Sequence, residues 1–87
     1  MQLEDFKTWV TDKYMFVNIK KLGANTIFSI DLPEEHHLLF TWYEVQKRLK
    51  ITFDNEPYFI DLAKNNIEDI ENLVSSIFIS HNLYYNS

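Results

Sequence analysis

The densest run of potential metal ligands and proton carriers in the chain is Glu34-Glu35-His36-His37. Adjacent histidines project to opposite faces of a strand, or about 100° apart on a helix. Neither arrangement reproduces the i, i+4 histidine pair of a helical metal site. A site with two histidines and a carboxylate needs a further ligand brought in by the fold, and His81 is the one other histidine. The run reads as a polar loop after Pro33. Nucleophiles fare no better: Ser29, Ser75, Ser76 and Ser80 do not sit in a strand-to-helix elbow. One glycine, Gly23, cannot build a phosphate-cradling loop. The chain has no cysteine, which excludes disulfides, thiolate metal sites and cysteine nucleophiles. The carboxylate pairs Glu34/Glu35 and Glu68/Asp69 read as exposed rather than desolvated, so neither supplies a tuned acid and base. No catalytic residue, metal site or cofactor is assigned, and the chain is not read as an enzyme.

Charge is the stronger signal. The formal net charge is −5, and it is unevenly placed. Residues 1–33 hold four acids and four bases, and residues 34–53 hold three of each. Residues 54–87 hold six acids, Asp54, Glu56, Asp61, Glu68, Asp69 and Glu71, against Lys64 alone. These six form the candidate partner-binding patch. A surplus of carboxylates attracts a basic surface, speeds encounter and helps to exclude wrong partners. The grooves that hold nucleic acid are such surfaces. Direct binding of nucleic acid by the chain itself is disfavoured, because a single arginine and a net negative charge leave a weak electrostatic footprint.

Aromatics give a second candidate surface. Phe6, Phe28, Phe53, Tyr58 and Phe78 fall on faces assigned to the core, whereas Phe16, Phe59 and one of Trp42 or Tyr43 fall on the opposite sheet face. Trp42, Tyr43 and Phe59 are therefore the candidate aromatic contacts, since Tyr and Trp are enriched at binding hot spots. Homodimerisation through that face is the competing use.

The elements that must position these residues follow from periodicity. Leu3, Phe6 and Val10, with Trp9 beside them, predict a short amphipathic helix from about Gln2 to Lys13, with Glu4 and Asp5 in its first turn. Period-two alternation through Met15, Val17 and Ile19, then Phe28, Ile30 and Leu32, predicts a hairpin around Gly23-Ala24-Asn25. Residues 34–47 are ambiguous: Leu38, Leu39, Trp42 and Val45 fit a helical stripe, but Phe40-Thr41-Trp42-Tyr43 favours a strand at about 38–45. A second hairpin runs through Leu49, Ile51 and Phe53, the turn 54–57, and Tyr58, Ile60 and Leu62. Asn65 or Asn66 caps a terminal helix whose face is Ile67, Ile70, Leu73, Val74, Ile77 and Phe78, ending near Ser80 or His81, and Leu83-Tyr84-Tyr85 follows as a tail.

These elements make one α+β domain over residues 1–87: a small two-layer sandwich with a mostly antiparallel sheet of four to five strands and an N-terminal and a C-terminal helix on one face. The N-terminus has no signal-peptide pattern and the longest apolar runs are a few residues, so a cytoplasmic location without membrane contact is expected. Ile, Asn, Lys, Phe and Tyr are abundant, as AT-rich codons favour, which suggests a low-GC bacterium or its phage. The expected function is a small acidic protein-binding module. Its most specific form is a phage or mobile-element inhibitor of a nucleic-acid-binding host enzyme, acting in the host cytoplasm and of anti-CRISPR or DNA-mimic type in size and charge. The alternative is an assembly subunit that oligomerises through exposed sheet aromatics.

Overall fold

Five successive segments pair with their sequence neighbours into one antiparallel sheet of order β1-β2-β3-β4-β5. The structure is a computed structural model that describes residues 1–83. The elements run α1 (Leu3–Lys13), β1 (Asn18–Leu22), β2 (Asn25–Leu32), β3 (His36–Tyr43), β4 (Arg48–Phe53), β5 (Glu56–Asp61) and α2 (Ile67–Ser80). A short 3-10 turn, Pro33–Glu35, joins β2 to β3.

The register sorts side chains onto two faces. Ile19, Phe28, Phe40, Ile51 and Tyr58 lie in one row across all five strands, and Lys21, Thr26, Trp42, Leu49 and Ile60 lie in the next row on the same side. Most of these residues are buried beneath the two helices. Helix α1 buries Phe6 and Val10, an i, i+4 pair, and α2 buries Ile70, Val74, Ile77 and Phe78, the i, i+4, i+7, i+8 stripe of an amphipathic helix. Phe6 sits at the centre, with its ring 5.1 Å from Phe28, 5.3 Å from Phe40 and 5.4 Å from Trp42. The ring of Phe78 meets that of Phe53 at 5.8 Å. All the buried apolar residues belong to one cluster, so both helices cover the same sheet face.

The ambiguous segment is a strand. β3 is the central strand, and its ladders to β2 and β4 satisfy its backbone on both edges. Its apolar residues serve both faces, which is why a helical stripe could also be drawn through them. Other boundaries move. β1 starts at Asn18, and Met15 and Phe16 belong to the exposed connection from α1. Asn25 lies within β2, and Pro57 within β5. The N-cap of α2 is Asn66. Its side chain accepts from the Asp69 N–H at 3.0 Å, and the Asp69 carboxylate accepts from the Asn66 N–H at 2.9 Å. This capping box uses Asp69 in the role that an Asn65 cap would have given Glu68. The tail residues Tyr84 and Tyr85 lie outside the described residues.

Candidate functional site

The six acids of the C-terminal third do not form one patch. Asp54 lies in the β4–β5 turn, where its carboxylate accepts the His37 N–H at 2.8 Å and pairs with the His36 ring. These contacts, the His37 backbone bond first, hold its carboxyl below the ordinary range. Glu56 accepts from the Tyr58 hydroxyl at 3.1 Å and faces His81 at 3.6 Å. Asp61 ends β5 on the helix-free side, opposite Arg48, and accepts the Ala63 N–H at 2.9 Å. Asp69 is engaged in the capping box, and Glu71 pairs with Lys13 of α1 at 3.2 Å. Glu68 has no such partner among the described residues.

What the fold brings together is a different acidic set. The two helices cover the same sheet face and are bridged by the Lys13–Glu71 pair. A cavity of about 370 Å³ sits where the end of α1 meets α2, with Tyr14, Val74 and Phe78 among its lining residues. Burial and the nearby Glu71 carboxylate push the Tyr14 phenol up. The helical layer carries Glu4, Asp5, Asp12, Glu68, Asp69 and Glu71 against Lys7 and Lys13, a net of −4 out of the −5 of the whole chain. Four of these acids stand in first turns, where the helix dipole favours them. Glu4, Asp12 and Glu68 are exposed and without an ion-pair partner among the described residues. Sequence counting missed the α1 acids because they are neutralised along the chain by Lys20 and Lys21, which the fold carries away to the sheet.

The aromatic candidates separate in the same way. Trp42 is 1% exposed, wedged against Phe6 in the core, and is not available to a partner. Alternation along β3 sends Tyr43 to the helix-free face instead, where it is half-buried. Phe59 is 53% exposed on that face, with the Arg48 guanidinium 5.2 Å above its ring. The rows there read Lys20, Ile27, Thr41, Lys50, Phe59 and Leu22, Asn25, Tyr43, Arg48, Asp61. The helix-free face thus sets Ile27, Leu39, Tyr43 and Phe59 among polar side chains and carries three cations, Lys20, Arg48 and Lys50.

His36 and His37 are strand residues and not loop residues. His36 and His37 open β3, and His37 pairs with Asp31 at 3.0 Å. His36 stacks on Phe53 at 5.4 Å, and His81 reaches the same ring at 4.8 Å. Among the described residues, no group of three or more His, Cys, Asp or Glu side chains has a metal-holding arrangement. No helix among them is long and apolar enough to cross a membrane. Comparison of the chain with protein families, with curated proteins and with solved structures finds no match.

Proposed function

We propose that the protein is a small non-catalytic binding module that docks its acidic helical layer on the basic surface of a partner protein. The observation that supports it is the concentration of −4 on one layer of a molecule whose total is −5. In its specific form the partner is a nucleic-acid enzyme of a bacterial host, and the helical layer occupies the groove that otherwise holds phosphates. Carboxylates spaced along two neighbouring helices present negative charge to such a groove, and long-range attraction raises the encounter rate.

The test compares capture of partners from a low-GC bacterial lysate by wild type and by a Glu4→Gln/Asp12→Asn/Glu68→Gln variant. These three carboxylates make neither caps nor ion pairs among the described residues, so the fold is left intact. Capture is expected to weaken as salt rises from about 0.05 to 0.5 M, where the screening length falls from over 10 Å to under 5 Å, and the variant loses the same partner. Capture indifferent to both salt and neutralisation would overturn the reading.

A second reading rests on Tyr43 and Phe59: an assembly subunit that self-associates through the helix-free face. Sedimentation of wild type beside Tyr43→Ser/Phe59→Ser decides it. A concentration-dependent dimer that the variant abolishes supports assembly, and a monomer throughout refutes it.

A further inference from the structure

The two edges of the sheet are not alike. The turns at 23–24 and 54–55 are two-residue hairpin turns, so Leu22–Asn25 and Phe53–Glu56 are the hydrogen-bonded pairs that flank them. Antiparallel pairing alternates from there. The backbone N–H and C=O groups of Ile19 and Lys21 therefore point away from β2, and those of Phe59 and Asp61 point away from β4. Pro57 occupies the remaining outward position of β5 and has no N–H to offer. Glu56 and Asp61 make that edge acidic. The β5 edge is blunted against strand addition.

The β1 edge has neither device. All five residues from Asn18 to Leu22 are exposed, none is proline, and none is acidic. Lys20 and Lys21 give it two positive charges on opposite faces, Lys20 on the helix-free side and Lys21 on the helix side. Immediately before it, Met15 is 89% and Phe16 81% exposed. Two adjacent large apolar side chains so fully in water contribute nothing to the core. They form a shelf at the start of the open edge.

We propose that the β1 edge is a docking site for an extended acidic segment of a partner protein, added beside β1 as a sixth strand. Its backbone pairs with the outward groups of Ile19 and Lys21. Side chains alternate across a strand, so two adjacent carboxylates on the incoming segment meet Lys20 on one face and Lys21 on the other. An apolar side chain of the same segment covers Met15 and Phe16. Lysines on an edge discourage indiscriminate pairing, and here the same charges select an anionic strand. A second copy of this chain fits poorly. β1 against β1 sets lysines against lysines, and the β5 edge lacks a donor at Pro57. The inference concerns a different surface from the helical layer and stands without the function proposed above.

The probe is an acetylated peptide of valines and threonines around one pair of adjacent glutamates, with a lysine-for-glutamate counterpart as control. Amide exchange of the labelled protein is followed by NMR. The acidic peptide is expected to slow exchange at the Ile19 and Lys21 N–H groups by about tenfold or more, and the basic peptide to leave them unchanged. Lys21→Pro removes one outward donor while sparing the β1–β2 ladder, as Pro57 does on the opposite edge, and abolishes the effect. Lys20→Glu/Lys21→Glu reverses the preference between the two peptides and reads the same contact should the proline variant fail to fold. Unchanged exchange at both amides with the acidic peptide would sink the proposal, and so would protection that depends on protein concentration alone.

Discussion

Replacing Phe6 by alanine removes the ring on which α1 is seated. Phe6 is fully buried and its ring contacts Trp9, Phe28, Phe40 and Trp42 at centroid distances of 5.1–5.7 Å. Three of those partners, Phe28, Phe40 and Trp42, sit on β2 and β3, whose ladders to their neighbours fix the floor of the site, so the space cannot close by collapse. The full cost of a buried Phe→Ala change then applies, about 3–5 kcal/mol. A domain of this size has about 4–13 kcal/mol in total. At about 4–8 °C per kcal/mol, Phe6→Ala lowers the melting temperature by about 12 °C or more. Phe6→Leu keeps an apolar filling but loses the ring edges, at about 1–3 kcal/mol for the aromatic pairs forfeited. Thermal unfolding followed by near- and far-ultraviolet circular dichroism measures both. Helix α1 also carries Glu4, Asp5 and Asp12, so its undocking in Phe6→Ala disperses half of the carboxylates of the acidic layer. A Phe6→Ala melting temperature within about 5 °C of wild type, well short of the drop that a loss of about 3 kcal/mol produces, would refute the seating of α1 on this ring.

Three further outcomes are expected. Asp54→Asn probes the turn that holds His36 and His37. The folded carboxyl titrates below its unfolded value of about 3.9, so its stabilisation is present above that value and is lost as pH falls through the folded one. Melting temperatures should therefore differ by a few degrees at neutral pH, the exposure of the pair keeping the effect small, and converge in strong acid. Asn66→Ala removes the reciprocal cap of α2 and costs about 1 kcal/mol, which urea unfolding resolves as a lower midpoint with an unchanged slope. Gly23→Ala meets no atom within 4 Å but must hold φ near +62°, so it destabilises by about 1–2 kcal/mol through backbone conformation alone, also read by urea unfolding.

The helices and both hairpins were legible because period 3.6 and period 2 are read directly from apolar spacing. The stripe Ile70, Val74, Ile77, Phe78 has no competing interpretation as a strand. β3 was harder because a central strand covered on one face and half-covered on the other shows no clean alternation: Phe40, Thr41 and Trp42 are all buried. The phase of β3 decided whether Trp42 or Tyr43 faced out, and only the pairing of Thr26 with Trp42 fixes it. The acidic surface was misplaced for a related reason. Order along the chain groups Asp54 and Glu56 with Glu68, whereas the fold places the first two at the β4–β5 turn and Glu4, Asp12 and Glu68 on the helical layer. The turn carboxylates moreover serve local hydrogen bonds, which no count of charge reveals. Met15 and Phe16 looked like the start of a strand because their spacing continued the alternation of β1, and nothing local signalled that the ladder stops at Asn18.

Because every strand neighbour in the sheet is also the next strand in the sequence, no pairing has to wait for a distant segment to arrive. Loop-closure entropy is then small at each step, and such topologies reach the native state faster than those built on long-range crossovers. The helical layer follows the opposite rule. Its two members flank the five strands in the chain, and Phe53, stacked by His36 of β3, gains its helical cover only when the last turns of α2 bring Phe78 onto it. A sheet zipped strand by strand keeps part of its apolar face wet until the fourteen residues of α2 dock on it in one step.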